Sequence, residues 1–268
     1  MERNIEFIDY KNNDFYFLYL ERLGEEGATG DKWHEHTFCE IMFITKGEGE
    51  YVIENRRYSV KKGDVLLIKG GSYHYKHRVI KSPMGTYCLG FMPEKIENGG
   101  IAERIFEKGE HFSVGTDSAL AGLLNVAKQK LKKSKNNASQ FIKSVTESLV
   151  LILSDLDIDQ EKTPDVKNKN VQRMLDYIKT NLSLIHSVED IANAMFFSES
   201  YTRSLFKKEM NIGIMEYVRN KKVLLAHRKI RHGRKPSEIY AECGFSNYTS
   251  FYRAYLAYFG HSPRLQKI

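Results

Sequence analysis

Two stretches near the end of the chain repeat one pattern: Ser187–Asn211, SVEDIANAMFFSESYTRSLFKKEMN, and Ser237–Gly260, SEIYAECGFSNYTSFYRAYLAYFG. Each begins with a short helical segment around an inner isoleucine, Ile191 or Ile239. A tight Phe-Ser turn follows, and then a longer segment with helical spacing. The repeat predicts two helix-turn-helix units in tandem within an all-helical region that begins at about Val171.

The second helix of the first unit carries the candidate groups for contact with DNA. In such units the N-terminal part of the second helix enters the major groove. Helical spacing places Thr202, Leu205 and Phe206 on the inner face of this helix. The outward side chains that we predict to contact DNA are Ser200, Arg203, Ser204, Lys207 and Lys208. An arginine can bind guanine through two hydrogen bonds, and lysines suit the phosphate backbone.

The second unit offers a comparable surface. Helical spacing turns Phe251 and Tyr255 inward. The outward side chains that we predict to contact DNA are Tyr248, Thr249, Tyr252 and Arg253. Between the units, residues 216–231 have the apolar spacing of one helix, which would hold the two reading helices about 34 Å apart, one turn of B-DNA.

The distribution of charge favours a nucleic-acid partner for the same region. Residues 168–268 contain 17 Lys and Arg against 8 Asp and Glu, whereas the whole chain has a net charge of +7. The remainder of the chain is therefore slightly acidic. A basic excess confined to the repeat is typical of a surface that faces phosphates.

The helical region from about Val171 to Pro263 resembles the DNA-binding domain of the AraC/XylS family of bacterial transcription regulators. The resemblance depends on DIANAMFFSESYTRSLFKKE, EYVRNKKVLLAHRKI and GFSNYTSFYRAYLAYFGHSP. It implies sequence-specific binding to double-stranded DNA, and activation through contact with RNA polymerase. Tyr240, Leu256 and Ala257 depart from the residues usual in the family, so we expect the first unit to supply most of the binding energy.

The first part of the chain predicts a small β-barrel or sandwich. Short runs rich in aromatic and branched residues lie close together, with turns expected at Lys46–Gly49 and Glu54–Arg57. The runs are residues 15–20, 40–45, 50–53, 58–60, 64–68 and 86–91.

Two segments of this region look like the signature motifs of the cupin barrel. Trp33–Gly47, WHEHTFCEIMFITKG, has the spacing His-x-His-x3-Glu-x6-Gly, and Gly63–His74 reads GDVLLIKGGSYH. Alternation along a strand would send the first motif's two histidines and its glutamate to one face. In cupins that bind metals, the residues that match the ligands are His34, His36, Glu40 and His74.

Three interpretations of this constellation remain open. Imidazoles with one carboxylate would suit Fe, Mn, Ni or Zn in a metal-dependent enzyme or a metal sensor. A pocket for a small organic effector, such as a sugar, needs aromatic walls and a few directed polar groups. The residues could also serve structure alone. We favour the effector pocket and expect no obligatory cofactor. The residues that we assign to this pocket are Trp33, His34, His36, Glu40, Tyr51, Tyr73 and His74.

Two amphipathic helices are predicted after the barrel, at residues 117–133 and 138–156, to cover it or to pair it with a second subunit. The polar stretch Asp157–Asn170 predicts a linker. The predicted organisation is therefore a cupin-like effector-binding and dimerisation domain at 1–156, a linker at 157–170 and an all-α DNA-binding domain at 171–268.

The remaining features of the sequence narrow the class of protein. No run of about 18 apolar residues is present, the first residues do not resemble a secretion signal, and the three cysteines are scattered. We therefore expect a cytoplasmic regulator, a homodimer without membrane partners and not an enzyme. The rival hypotheses are a metal-dependent cupin enzyme or metal sensor fused to a DNA-binding domain, and a non-specific nucleic-acid-binding protein.

Overall fold

The computed structural model describes residues 3–23, 33–96, 99–157 and 164–264. The chain divides into two compact units, Met1–Asp165 and Val166–Ile268. Most of the predicted linker, at 158–163, lies outside the described residues. Among the helices described, none is long and apolar enough to cross a bilayer.

The first unit is built on one antiparallel sheet. Its strands pair in the order β1-β2-β6-β3-β4, while β5 pairs with β3 and β7 pairs with β5. The strands are β1 (Arg3–Lys11), β2 (Phe15–Leu23), β3 (Cys39–Ile53), β4 (Arg56–Lys61), β5 (Asp64–Ile68), β6 (His74–Phe91) and β7 (His111–Ser113). The β-rich fold expected from the sequence is confirmed, with β1 and β7 in addition.

The turn predicted at Lys46–Gly49 is wrong. Strand β3 runs through these residues, and its register against β6 shifts between Ile44 and Gly49. Gly47 has φ of +75°, and a Cβ there would lie 2.4 Å from the carbonyl oxygen of Lys81. The glycines therefore allow a bulge and a close approach to β6 rather than a reversal of the chain.

Both faces of the central strand are buried, which explains its continuous apolar sequence. Ile41 and Phe43 join a core that includes residues of the two long helices, Leu124 and Leu149 among them. Met42 and its alternate neighbours point to the opposite side, into a second cluster formed by the sheet alone. Period-two alternation thus separates a helix-covered face from an inner face.

The described part of the first unit contains three α-helices: α1 (Gly99–Arg104), α2 (Ala119–Lys133) and α3 (Ala138–Asp155). The two predicted helices are found within two residues of the expected bounds. Their buried side chains share one core with the sheet, so they cover it. On α3 the buried face includes Val145, Leu149 and Leu153, whereas Phe141 and Ile152 are half-buried.

The second unit consists of six helices among the described residues. They are α4 (Lys169–Asn181), α5 (Val188–Met195), α6 (Glu199–Met210), α7 (Ile214–Arg231), α8 (Pro236–Ile239) and α9 (Tyr248–Phe259). Helices α5 and α6 form the first helix-turn-helix unit, and α8 and α9 form the second. Helix α7 connects them, and its buried Val223, Ala226 and Ile230 pack with Phe251 and Tyr255 of α9, as their spacing predicted.

Side-chain caps determine where α5, α6 and α9 of the DNA-binding unit begin. The Ser187 hydroxyl accepts from the backbone N–H of Asp190, and the Asp190 carboxylate accepts from the N–H of Ser187 in return. Ser198 caps α6 by accepting from the N–H of Tyr201, and Asn247 caps α9. Each cap satisfies N–H groups that a helix start leaves without a partner, which places the start of each reading helix.

Candidate functional site

Helix α6 is buried on one side and exposed on the other. Thr202, Phe206 and Met210 are buried, while Leu205 is half-buried. The five side chains predicted to contact DNA are all exposed: Ser200, Arg203, Ser204, Lys207 and Lys208. The helix therefore presents a basic, polar surface that starts at its N-terminal turn.

An acidic residue outside the predicted set of contact residues lies against this surface. The Arg203 guanidinium donates a hydrogen bond of 2.9 Å to the carboxylate of Glu199, one turn earlier on the same helix. Both side chains are exposed, so the pair is weak and exchanges readily with water or another anion. The i, i+4 spacing alone could have indicated it.

Helix α9 presents a more aromatic surface. Phe251, Ala254 and Tyr255 are buried. The four predicted contact residues, Tyr248, Thr249, Tyr252 and Arg253, are exposed. The ring of Tyr248 lies 5.9 Å from that of Tyr240, edge to face, so the large residue at position 240 packs against the start of α9.

The first unit of the chain gathers the histidines of the two cupin-like motifs. A β-bridge joins His34 to His74, and candidate ligand atoms of His34, His36 and His74 all lie within 4.8 Å of one another. Glu40, on the inner face of β3, places its Oε2 atom 3.3 Å from Nε2 of His36 and 3.2 Å from Nε2 of His74. The four residues matched to metal ligands are thus brought together.

Backbone groups orient two of the imidazoles. Nδ1 of His36 lies 3.0 Å from the carbonyl oxygen of Phe38, and Nδ1 of His74 lies 2.8 Å from that of Ser72. Each carbonyl accepts an Nδ1–H, which directs Nε2 toward Glu40. Burial, and then the charge of His74, lowers the pKa of His36 to about 3. Burial also opposes charge on His74, but the Glu40 carboxylate outweighs it and raises the pKa of His74.

This donor set fits a divalent transition metal. Three imidazoles and one carboxylate are the ligand types that such ions take, and carbonyl-bound Nδ1–H groups are the usual support for ligating histidines. The Nε2 atom of His36 and the Oε2 atom of Glu40 are buried, and neither has a hydrogen bond of acceptable geometry among the described residues. The same polar groups suit the hydroxyl groups of an organic ligand equally well.

The aromatic residues assigned to the pocket have different surroundings. Tyr73 donates its hydroxyl to the carboxylate of Glu35, and the ring of Trp33 lies 4.3 Å from that of Tyr75. Tyr51 is buried in the inner core cluster of the sheet. Glu35 lies between His34 and His36 in the sequence. Strand alternation places it on the opposite face from the two histidines, so the sequence did not indicate its hydrogen bond with Tyr73.

Comparison with protein families accounts for both parts of the chain. The model for an AraC-like ligand binding domain matches residues 19–149, and a helix-turn-helix domain model matches residues 191–265. The sequence is 23% identical over 234 residues to the HTH-type transcriptional activator RhaR from Escherichia coli O139:H28, covering 81% of this chain and 80% of that protein. RhaR from Shigella flexneri matches to the same extent.

The solved structures that are similar to this chain have low sequence identity to it. ToxT from Vibrio cholerae O395 is 10% identical, with a TM-score of 0.40 over 94% of this chain and 96% of that one. The AraC-like transcriptional activator CuxR is 15% identical, with a TM-score of 0.38 over 82% and 79%. The two family models, together with the paired helix-turn-helix units, show that this chain belongs to the AraC family of transcriptional regulators, with a ligand-binding domain and a helix-turn-helix DNA-binding domain.

Proposed function

We propose that the chain activates transcription in the bacterial cytoplasm by binding a specific DNA sequence through α6 and α9. The observation that carries this proposal is the common outward position of the nine predicted contact residues on two capped helices. Their apolar faces pack in the core of the DNA-binding unit, so the exposed faces are available to contact DNA. The relatives named as transcriptional activators support activation, and the family resemblance supports contact with RNA polymerase.

Selection of bound DNA from a random pool tests this proposal. We expect an enriched motif with two half-contacts about one helical turn apart. Arg203→Ala should weaken binding to the selected DNA, whereas Arg173→Ala, which removes the same charge from an exposed position on α4, should not. Binding that falls steeply with salt yet ignores sequence would instead support a non-specific nucleic-acid-binding protein.

We further propose that the site around His36, Glu40 and His74 binds a small polar effector, with sugars as the first candidates. Aromatic rings near imidazoles and a carboxylate provide stacking surfaces and groups that bind hydroxyls. Repeating the selection with and without candidate sugars tests it, because an effector must change the affinity for DNA if it prefers one state of the protein. Unchanged affinity with every sugar, at concentrations that saturate binding, would exclude sugars as effectors.

A metal ion is the second candidate for the same site, favoured by the cluster of three imidazoles, of which those of His36 and His74 contact Glu40. Such an ion would supply Lewis acidity, in a sensor or in a metal-dependent enzyme. Protein purified without added metal should then contain one transition-metal ion per chain, lost in the His36→Ala, His74→Ala double variant. His186→Ala, at an exposed position of the other unit, is the matched control. Metal-free wild-type protein that still responds to an organic effector would contradict this candidate.

We also propose a homodimer formed through the outer faces of α2 and α3. Val126 on α2 and Leu151 on α3 are about half exposed although the helices bury their other faces. Apolar side chains at these positions suit a subunit contact. The Val126→Glu, Leu151→Glu variant should sediment as a monomer at concentrations where the wild type is a dimer. An unchanged sedimentation coefficient would place the contact elsewhere.

A further inference from the structure

The turn between α5 and α6 has the same backbone hydrogen bonds as the turn before α9. The N–H of Phe196 donates to the carbonyl of Asn193 at 3.2 Å, and the N–H of Phe197 donates to that of Ala192 at 2.9 Å. Forty-eight residues later, the N–H groups of Gly244 and Phe245 make the corresponding bonds at 2.9 and 3.0 Å. Phe196 therefore occupies the position of a glycine in the other unit.

Both positions require a left-handed backbone, with φ of +60° at Phe196 and +84° at Gly244. At Gly244 the glycine is needed for packing as well, because a Cβ would lie 2.5 Å from the carbonyl oxygen of Ser183. Phe196 has the opposite surroundings, since 91% of its surface is exposed. The ring at position 196 thus fits the fold without contributing to its core.

A phenylalanine at this position costs the fold stability without a return from burial. Bulky side chains disfavour the left-handed region, where glycine and asparagine are tolerated. Among the described residues, the other non-glycine residues with positive φ are Glu54, Asn137 and Asn211, all of them polar. Strain combined with exposure of a large apolar ring is typical of positions that act outside the folded chain.

We propose that Phe196 is a further DNA-contacting residue, whose ring packs against a thymine methyl group or a deoxyribose at the edge of the groove that α6 enters. The inference rests on the proposed function of α6. One residue separates Phe196 from Ser198, the N-cap of α6, so the ring lies at the end of the helix that enters the groove. Phenylalanine is among the side chains that recognise thymine methyl groups.

The adjacent residues extend the apolar surface toward the reading face. The ring of Phe197 contacts that of Tyr201 edge to face, with centroids 5.0 Å apart, and 44% of Tyr201 is exposed on the first turn of α6. Ser200 and Arg203 follow on the same helix. Phe196 is therefore next in the chain to a surface whose hydroxyl and guanidinium groups suit bases and phosphates. This neighbourhood favours DNA over a protein as the partner of the Phe196 ring.

The Phe196→Gly variant distinguishes a role of Phe196 in DNA binding from a role in the stability of the fold. The variant relieves the backbone, so its urea denaturation midpoint should equal or exceed that of the wild type. Its affinity for DNA selected by the wild type should fall roughly five- to tenfold, as expected for the loss of one apolar contact. Phe196→Tyr, which retains the ring, should preserve the affinity. The dependence of affinity on salt should not change, because no charge is removed.

Asn211→Gly is the matched control, since Asn211 also has positive φ but lies at the opposite end of α6. It should leave the affinity unchanged. Wild-type affinity in Phe196→Gly would overturn this inference, and loss of transcription in vitro at that unchanged affinity would assign the ring to a protein partner. Failure of the wild type to select any motif would instead contradict the proposed function of α6 itself.

Discussion

The ammonium group of Lys222 donates a hydrogen bond of 2.8 Å to the carbonyl oxygen of Gly244, in the turn before α9. The same group donates a second, of 2.6 Å, to the carbonyl of Ile185, just before α5. Lys222 is buried on the connecting helix α7, and this burial lowers its pKa. One side chain therefore joins both helix-turn-helix units to the helix between them, a role that its polar character in the sequence does not indicate.

Replacing this lysine should loosen the DNA-binding unit. Lys222→Met leaves two buried carbonyl groups without their donor, so we expect the free energy of unfolding to fall by about 1–3 kcal/mol. Urea denaturation measures the change, and Lys179→Met, an exposed position on α4, is the control. Lys222→Arg retains donors and should recover part of the loss. Equal stability in Lys222→Met and the wild type would show that the bonds only balance the cost of burying the charge.

Removing the carboxylate that holds Arg203 should strengthen binding to DNA. Glu199→Gln frees the guanidinium and removes a negative charge from the surface that approaches phosphates, so affinity should rise about two- to fivefold at low salt. Gel shifts across a salt series measure this effect. Glu216→Gln changes another exposed glutamate, in the first turn of α7, and should have little effect. Weaker binding by Glu199→Gln would mean that the pair orients Arg203 for its contact.

The two helix-turn-helix units should contribute unequally to affinity. Lys207 and Lys208 follow Arg203 along α6, whereas the exposed Leu256 and Ala257 follow Arg253 along α9. Only the first unit can therefore add phosphate contacts at that point. At fixed salt, Arg203→Ala should weaken binding by about 1–3 kcal/mol, and Arg253→Ala by less. Equal losses for the two variants in gel shifts would refute this asymmetry.

A buried carboxylate in the barrel should make the first unit sensitive to acid. Burial alone would raise the pKa of Asp64, but hydrogen bonds from His111 and from the backbone N–H of Lys61 outweigh it, so its pKa is lowered. A lowered pKa means that Asp64 stabilises the fold above its ordinary pKa of about 3.9, and that this stability is lost as the pH falls below that value.

Asp64→Asn tests this dependence on pH. At pH 7 the variant should lose about 1–3 kcal/mol of unfolding free energy. The difference from the wild type should shrink as the pH falls below about 3.9, because the unfolded chain then binds the proton before the folded protein does. Urea denaturation at several pH values measures both, with the exposed Asp117→Asn as the control. A difference that stays constant down to pH 3 would show that the carboxylate contributes through shape rather than charge.

The sequence by itself determined the elements whose side chains repeat with a regular period. The helix periods predicted α2, α3 and α7 almost to their ends, and they also predicted which residues of α6 and α9 face outward. The two cupin-like motifs also supplied the four candidate ligands, although the bridge that brings His34 beside His74 belongs to the tertiary structure. These predictions succeed because period and burial are local properties of a helix or a strand.

Only the tertiary structure decided the features that depend on residues far apart in the chain. The path of β3 through Gly47 follows from its contact with β6, and the role of Lys222 follows from two carbonyl groups in different turns. The left-handed backbone and the exposure of Phe196 follow from the conformation of the turn, which matches the turn at Gly244. Such features arise from packing between distant segments, which determines whether a glycine, a charge or an aromatic ring has a partner within the fold.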